Sequence, residues 1–174
     1  MSSSQTQEMI TALPAPGPHA SLGERARAFD RFVGTWDAEC TEHAADGSTT
    51  RFAGQVLFGW IIDGWAVQDV WIWHPETGER GIGTTVRFYD AKAGAWRVVW
   101  ICPAEGVLVT LTGGPVGDRI VLRGERSGGG QLRWSFNEIR ADSFVWRGEV
   151  SHDQGETWRL TGEYHMRRRV PAVR

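Results

Sequence analysis

From Thr35 to Arg167 apolar and polar side chains alternate with a period of two, and turn residues interrupt the alternation at regular intervals. Ten strand-like runs result, near 35–44, 49–60, 64–74, 81–89, 95–102, 106–112, 118–126, 131–139, 142–151 and 157–167. The expected turns include Asp46-Gly47, Asp63-Gly64, Lys92-Ala93-Gly94, Gly113-Gly114-Pro115, Gly128-Gly129-Gly130 and Gln154-Gly155, residue types that favour tight reversals. Loops this short hold no crossover helix, so successive strands should pair antiparallel. Closure on themselves then removes the exposed edges. The expected fold class is all-β, an antiparallel up-and-down ten-stranded barrel.

Before the strands the period is helical. Ser21 with Glu24 forms a capping-box pattern, and Leu22, Arg25-Ala26, Phe29 and Phe32-Val33 follow at helical spacing. A short N-terminal helix is therefore expected over about 22–32, stopped by Gly34. Pro14, Pro16, Gly17 and Pro18 predict an extended arm over 1–20. The barrel domain is expected over 21–168 and a C-terminal tail over 169–174, with Arg167, Arg168 and Arg169 as a solvated basic cluster.

Parity assigns the faces. Trp96, Val98 and Trp100 share one side of their strand; so do Leu132, Trp134 and Phe136, then Phe144, Trp146, Gly148 and Val150, then Trp158, Leu160, Gly162 and Tyr164. The opposite positions carry Arg97, Arg133, Asn137, Arg147, Glu149, Arg159 and Glu163, side chains that water accepts. The interior is thus aromatic, and ten Trp in 174 residues supply it. Glycines recur on that face within Arg123-Gly124-Glu125, Arg147-Gly148-Glu149 and Thr161-Gly162-Glu163, where a missing Cβ leaves room for an indole ring or a ligand. Ser151 to Trp158 matches the Asp-box hairpin pattern, which predicts a tight turn organised by Asp153 with Trp158 packed beneath it.

Charge and cysteines narrow the function. A formal net charge of −2 gives no electrostatic footprint for nucleic acid. No apolar run approaches the roughly 20 residues that cross a bilayer, and the first twenty lack a secretory pattern, so no membrane partner is expected. Cys40 and Cys102 are far apart, without zinc-site spacing, and read as reduced thiols of a cytoplasmic protein.

Phe32-Val33-Gly34-Thr35-Trp36-Asp37, a helical turn leading into Gly-x-Trp, resembles the start of a lipocalin or calycin barrel. With the Pro16-Gly17-Pro18-His19 arm, Thr85 to Asp90, Trp134-Ser135-Phe136 and Trp158-Arg159-Leu160, the chain resembles a family of lipocalin-like bacterial proteins over about residues 14–168. That likeness implies a barrel closed at one end by the Gly-x-Trp tryptophan and open to a small hydrophobic ligand at the other. It implies no chemistry. The chain is also similar to nitrobindins, ten-stranded Gly-x-Trp barrels that bind haem through a C-terminal histidine, which would correspond to His165. Nitrobindins continue with a Gly-rich run, whereas Trp36 is followed by Asp37, Ala38, Glu39 and Cys40; parity also places His165 outside.

Trp65, Val67, Asp69, Trp71 and Trp73 share a face, so inward tryptophans put the Asp69 carboxylate in an aromatic cavity, with Arg87 as its candidate partner. In the opposite register Gln68 and His74 would enter instead. Val86 and Phe88 compete with Arg87 for the inner face. The expected function is binding of a small hydrophobic or aromatic molecule by Trp65, Trp71, Trp96, Trp100, Trp134, Trp146 and Tyr164. The alternative is a cofactor-free cyclase, isomerase or dehydratase with Asp69 as acid or base and Arg87 orienting it. No cofactor and no metal are expected unless haem binds at His165. Val99 and Ile101, on an otherwise polar face, mark a candidate homodimer contact.

Overall fold

The computed structural model describes residues 3–74, 80–126 and 129–170. Ten long strands form the wall: β2 (Gly34–His43), β3 (Thr49–Ile61), β4 (Ala66–His74), β5 (Gly81–Asp90), β6 (Ala95–Cys102), β7 (Val107–Val116), β8 (Arg119–Glu125), β9 (Gln131–Asn137), β10 (Ser143–Ser151) and β11 (Arg159–Arg168). Each pairs antiparallel with its neighbour in sequence, and β11 returns to β2, so the sheet closes. The expected up-and-down barrel is observed. A two-residue strand, β1 (Pro14–Ala15), adds to the edge of β3 at Ile61 and Trp60.

Four local expectations need correction. Within the segment expected to be extended, Ser3–Ala12 is helical (α1), because no proline or glycine interrupts it before Pro14. The stretch behind it is docked rather than free: His19 N donates to Gly64 O, and its imidazole stacks on Trp65 at 3.9 Å. The predicted helix is split into a 3-10 segment, Ala20–Ala26, and α2, Arg27–Asp30, since Gly23 turns to φ 51 between Ser21 and Glu24. The capping box is therefore not made; His19 caps Ser21 N, and Glu24 pairs with Arg27. Gly113-Gly114-Pro115 is not a turn but the end of β7, which reverses instead at Gly117. Gly128 of the predicted Gly128-Gly129-Gly130 turn lies outside the described residues, as does 171–174 of the predicted tail.

The helical segment plugs one end of the barrel. Phe29 and Phe32 are fully buried, each gaining about 1.5–3 kcal/mol from burial. Phe29 meets Trp96 edge-on at 4.8 Å, and Phe32 meets Phe144 at 4.8 Å. Trp36 Nε1 donates to Phe32 O and Trp60 Nε1 to Asp30 Oδ1, so neither indole N–H is buried without a partner. Arg168 locks the plug from β11. Its Nε donates to Ala141 O, Nη1 to Val33 O and Nη2 to Arg31 O, while the guanidinium lies 4.1 Å from the Trp36 ring centroid. Arg169 pairs with Asp37. Arg168 is therefore structural rather than part of a solvated cluster, because the helical turn presents carbonyls that need donors, whereas Arg167 and Arg169 are exposed as expected.

A bulge changes the faces of the last strand. Gly148 opposes Gly162 but Glu149 opposes Leu160, so Thr161 is an extra residue on β11. One inserted residue reverses the parity of everything before it. Trp158 consequently stands outside, its ring 4.2 Å from the Arg133 guanidinium, and not on the interior face with Tyr164. The Asp-box turn itself forms as expected: Asp153 accepts from Thr157 Oγ1, Thr157 N and Ser151 Oγ, and these bonds, the Thr157 hydroxyl first, hold its carboxyl well below the usual range.

Candidate functional site

Above the plug the barrel is hollow. A cavity of about 540 Å³ opens at the end opposite α2, within the size range of small-molecule sites. Ordinary strand parity builds most of its wall. Trp71 and Trp73 come from β4, Trp100 from β6, Trp134 from β9, Trp146 from β10 and Tyr164 from β11. Trp71 stacks on Tyr164 at 5.5 Å and 12°, and Tyr164 stacks on Trp146 at 4.6 Å and 25°, so three flat rings form one layered surface. Glycines make room for the indoles: a Cβ on Gly83 would lie 2.2 Å from Trp100, and one on Gly148 2.7 Å from Trp146.

Two tryptophans expected in this wall stand elsewhere. Trp65 belongs to the turn before β4, is 46% exposed and is covered on one face by His19. Trp96 is buried, but it lies at the plugged end against Phe29 and Tyr89, below the cavity. Parity places a residue on a face without saying at which height along the barrel that face is open.

The register of β4 puts Asp69 inside and Gln68 outside, where Gln68 Nε2 donates to Thr84 Oγ1; His74 is exposed at the strand end. Arg87 also faces inward, opposite Val67 and Val98, while Phe88 is 42% exposed. Asp69 opposes Thr85 on β5, so Arg87 is its diagonal neighbour on one face. Their side chains meet at 2.6 Å, Arg87 Nη2 to Asp69 Oδ2, and are 3% and 5% exposed. The guanidinium carbon lies 5.3 Å from both the Phe29 and Phe58 ring centroids and 5.9 Å from that of Phe136. Arg87 Nε and Nη1 have no hydrogen-bond partner among the described residues.

The outer half of the cavity is polar in a different way. Glu42, Arg51 and Glu105 line it with Thr50 and Phe52. Tyr164 Oη donates to Glu42 Oε1 at 2.9 Å, and burial together with that carboxylate drives the phenol upward, so it stays protonated. Glu42 was missed in the sequence, although Trp36, Ala38 and Cys40 precede it on the same face of β2. Cys40 is buried, and burial, reinforced by Glu42 and Glu39, pushes its thiol up to about 12. A thiol of that kind is no nucleophile at neutral pH.

His165 does not reach the cavity. Its Nε2 lies 3.1 Å from Glu163 Oε1 on the outer wall, where Glu163, bonded first by Arg147 and then by His165, is held below its ordinary range. The residues around the cavity therefore do not fit a haem ligated through His165.

No protein-family model matches the sequence, and no curated protein matches it significantly. Among solved structures the chain is similar to an S-type phycobiliprotein lyase, CPES, from Guillardia theta, with a TM-score of 0.60 and 11% identity over 82% of this chain and 90% of that one. It is also similar to Rv2717c from M. tuberculosis, with a TM-score of 0.64 and 14% identity over 88% of this chain and 99% of that one. Both are lipocalin-like barrels of the calycin type, and this chain has the same fold.

Proposed function

We propose that the protein binds a small, flat, largely apolar molecule inside the barrel. The observation that carries this reading is the open aromatic cavity of about 540 Å³ above a solid plug. A barrel that needed its tryptophans only for stability would fill its interior, as the plugged end does around Phe29 and Phe32. The stacked rings of Trp71, Tyr164 and Trp146 line the cavity together with Trp100 and Trp134 and supply apolar contact. One structural neighbour is a lyase of pigment proteins, which is consistent with a barrel that handles an organic molecule and identifies none. Intrinsic Trp fluorescence titrated with planar aromatic compounds should show saturable quenching. Native mass spectrometry of freshly purified protein should show a retained mass; a barrel that neither quenches nor carries anything overturns the reading.

The second reading, a cofactor-free enzyme acting on such a ligand, draws on the Asp69 carboxylate at the cavity floor. Asp69→Asn should then abolish turnover with affinity little changed. No helix among the described residues is long and apolar enough to cross a membrane; our cytoplasmic placement rests on two free, buried cysteines.

We also propose a homodimer through the outer wall. Leu57, Val70, Thr84, Ile101 and Leu108 form one cross-strand row over β3 to β7. The row spans roughly 20 Å without a charged side chain, which suits a self-complementary two-fold contact. Sedimentation velocity should show a dimer that Ile101→Asp converts to monomer.

A further inference from the structure

We propose that the floor of the cavity is a receptor for a neutral hydroxyl group, held between Asp69 and Thr85, so that the ligand is a flat apolar ring system inserted hydroxyl first. This rests on the ligand-binding reading and specifies its chemistry.

The hydrogen bonding at the floor is unfinished on its cavity side. Asp69 opposes Thr85 across β4 and β5, and both residues line the cavity. Thr85 is 3% exposed, and its hydroxyl makes no hydrogen bond among the described residues. The unpartnered atoms that are fully sealed there are Arg87 Nε and Nη1, enclosed by Phe29, Phe58 and Phe136 and out of a ligand's reach. Thr85 Oγ1 is not sealed, so the surface it keeps faces the cavity. Asp69 meets Arg87 Nη2 through Oδ2 at 2.6 Å, and no hydrogen bond from the described residues ends on Oδ1. Polar groups buried this deeply are almost always satisfied in native proteins, and those left over by the chain call for a partner from outside it.

Chemistry selects that partner. A carboxylate paired with arginine only accepts, whereas a threonine hydroxyl also donates. A ligand hydroxyl answers both, giving its hydrogen to Asp69 Oδ1 and receiving that of Thr85 Oγ1. Directly opposed residues have Cβ atoms about 4.5–5.5 Å apart, so one oxygen can bridge the two side chains. A ketone brings no hydrogen for Asp69. A carboxylate or an ammonium would leave a net charge beside the neutral Arg87 and Asp69 pair, deep in the barrel. Trp71, Trp100, Trp134 and Trp146 surround the space above, which suits an apolar remainder.

Fluorenol, fluorenone and fluorene share one flat skeleton and differ at one position, and equilibrium dialysis compares them. The wild-type protein should bind fluorenol about tenfold tighter than fluorenone. Thr85→Val removes the hydroxyl and keeps the side-chain shape; it should weaken fluorenol binding about threefold to tenfold and leave fluorene binding unchanged. The double variant Asp69→Leu with Arg87→Met, which avoids an unpaired buried charge, should bind fluorenol and fluorenone equally. Equal affinity for these two in the wild-type protein, a preference for fluorenol that survives the double variant, or fluorenol binding untouched by Thr85→Val overturns the hydroxyl receptor, while fluorene binding leaves the cavity reading standing. If none of the three probes binds, the cavity reading falls and takes this one with it.

Discussion

Arg168 and Arg87 both lie against aromatic rings, and their hydrogen bonds differ. Arg168, across the closed end, gives Nε, Nη1 and Nη2 to three backbone carbonyls while covering Trp36. Arg87, above the same plug, is more deeply buried, yet gives one nitrogen to Asp69 and leaves two without partners among the described residues. A completed set of donors does the work of holding chain segments together. An incomplete set, enclosed by three phenylalanine rings, holds one carboxylate and no chain segment.

The contrast can be broken by substitution. Arg87→Met strands the Asp69 carboxylate in the interior and should destabilise the protein by about 3–5 kcal/mol, whereas the double variant with Asp69→Leu should be near neutral or more stable; urea unfolding measures both. Arg168→Met should cost about 1–3 kcal/mol through the three uncapped carbonyls, with affinity for planar ligands unchanged, because the plug and not the cavity loses contacts. Gly83→Val should push Trp100 inward, costing about 1–3 kcal/mol and weakening ligand binding in fluorescence titration. The smallest effect is pH-dependent. Cys40 titrates at about 12 in the folded protein and at about 8.5 unfolded. Stability from this group is thus complete below the unfolded value and declines as pH rises between the two. A wild-type barrel should lose urea resistance relative to Cys40→Ala near pH 10 and show no such loss near pH 7, while a thiol reagent should label Cys40 only after denaturation.

Much of this was legible in the alternation of side chains. Short turns between period-two runs were sufficient for the antiparallel barrel, and parity was sufficient to place Asp69, Trp71, Trp100, Trp134, Trp146 and Tyr164 on the inner side. Arg87 was ambiguous because Val86 and Phe88 flank it with apolar side chains; only its place opposite Val67 and Val98 decides the face. Trp158 went astray because a bulge at Thr161 leaves no mark on a binary pattern. Trp65 and Trp96 show that height along the barrel is fixed by where the plug sits, which depends on contacts of Phe29 and Phe32 with strands distant in sequence. Arg168 was misread because its partners are backbone carbonyls, which carry no sequence signal.

The seam between β2 and β11 also dictates an order of assembly. Arg168 reaches Val33 across 135 residues of sequence, and β2 has no second neighbour until β11 arrives. On the ribosome, every earlier stage is an open, curling sheet with an unpaired edge and its tryptophans facing water. High contact order makes such closure slow, and the exposed edge and rings make it prone to association with other nascent chains. The aromatic interior of the finished barrel is thus the surface most in need of shielding while the chain is being made.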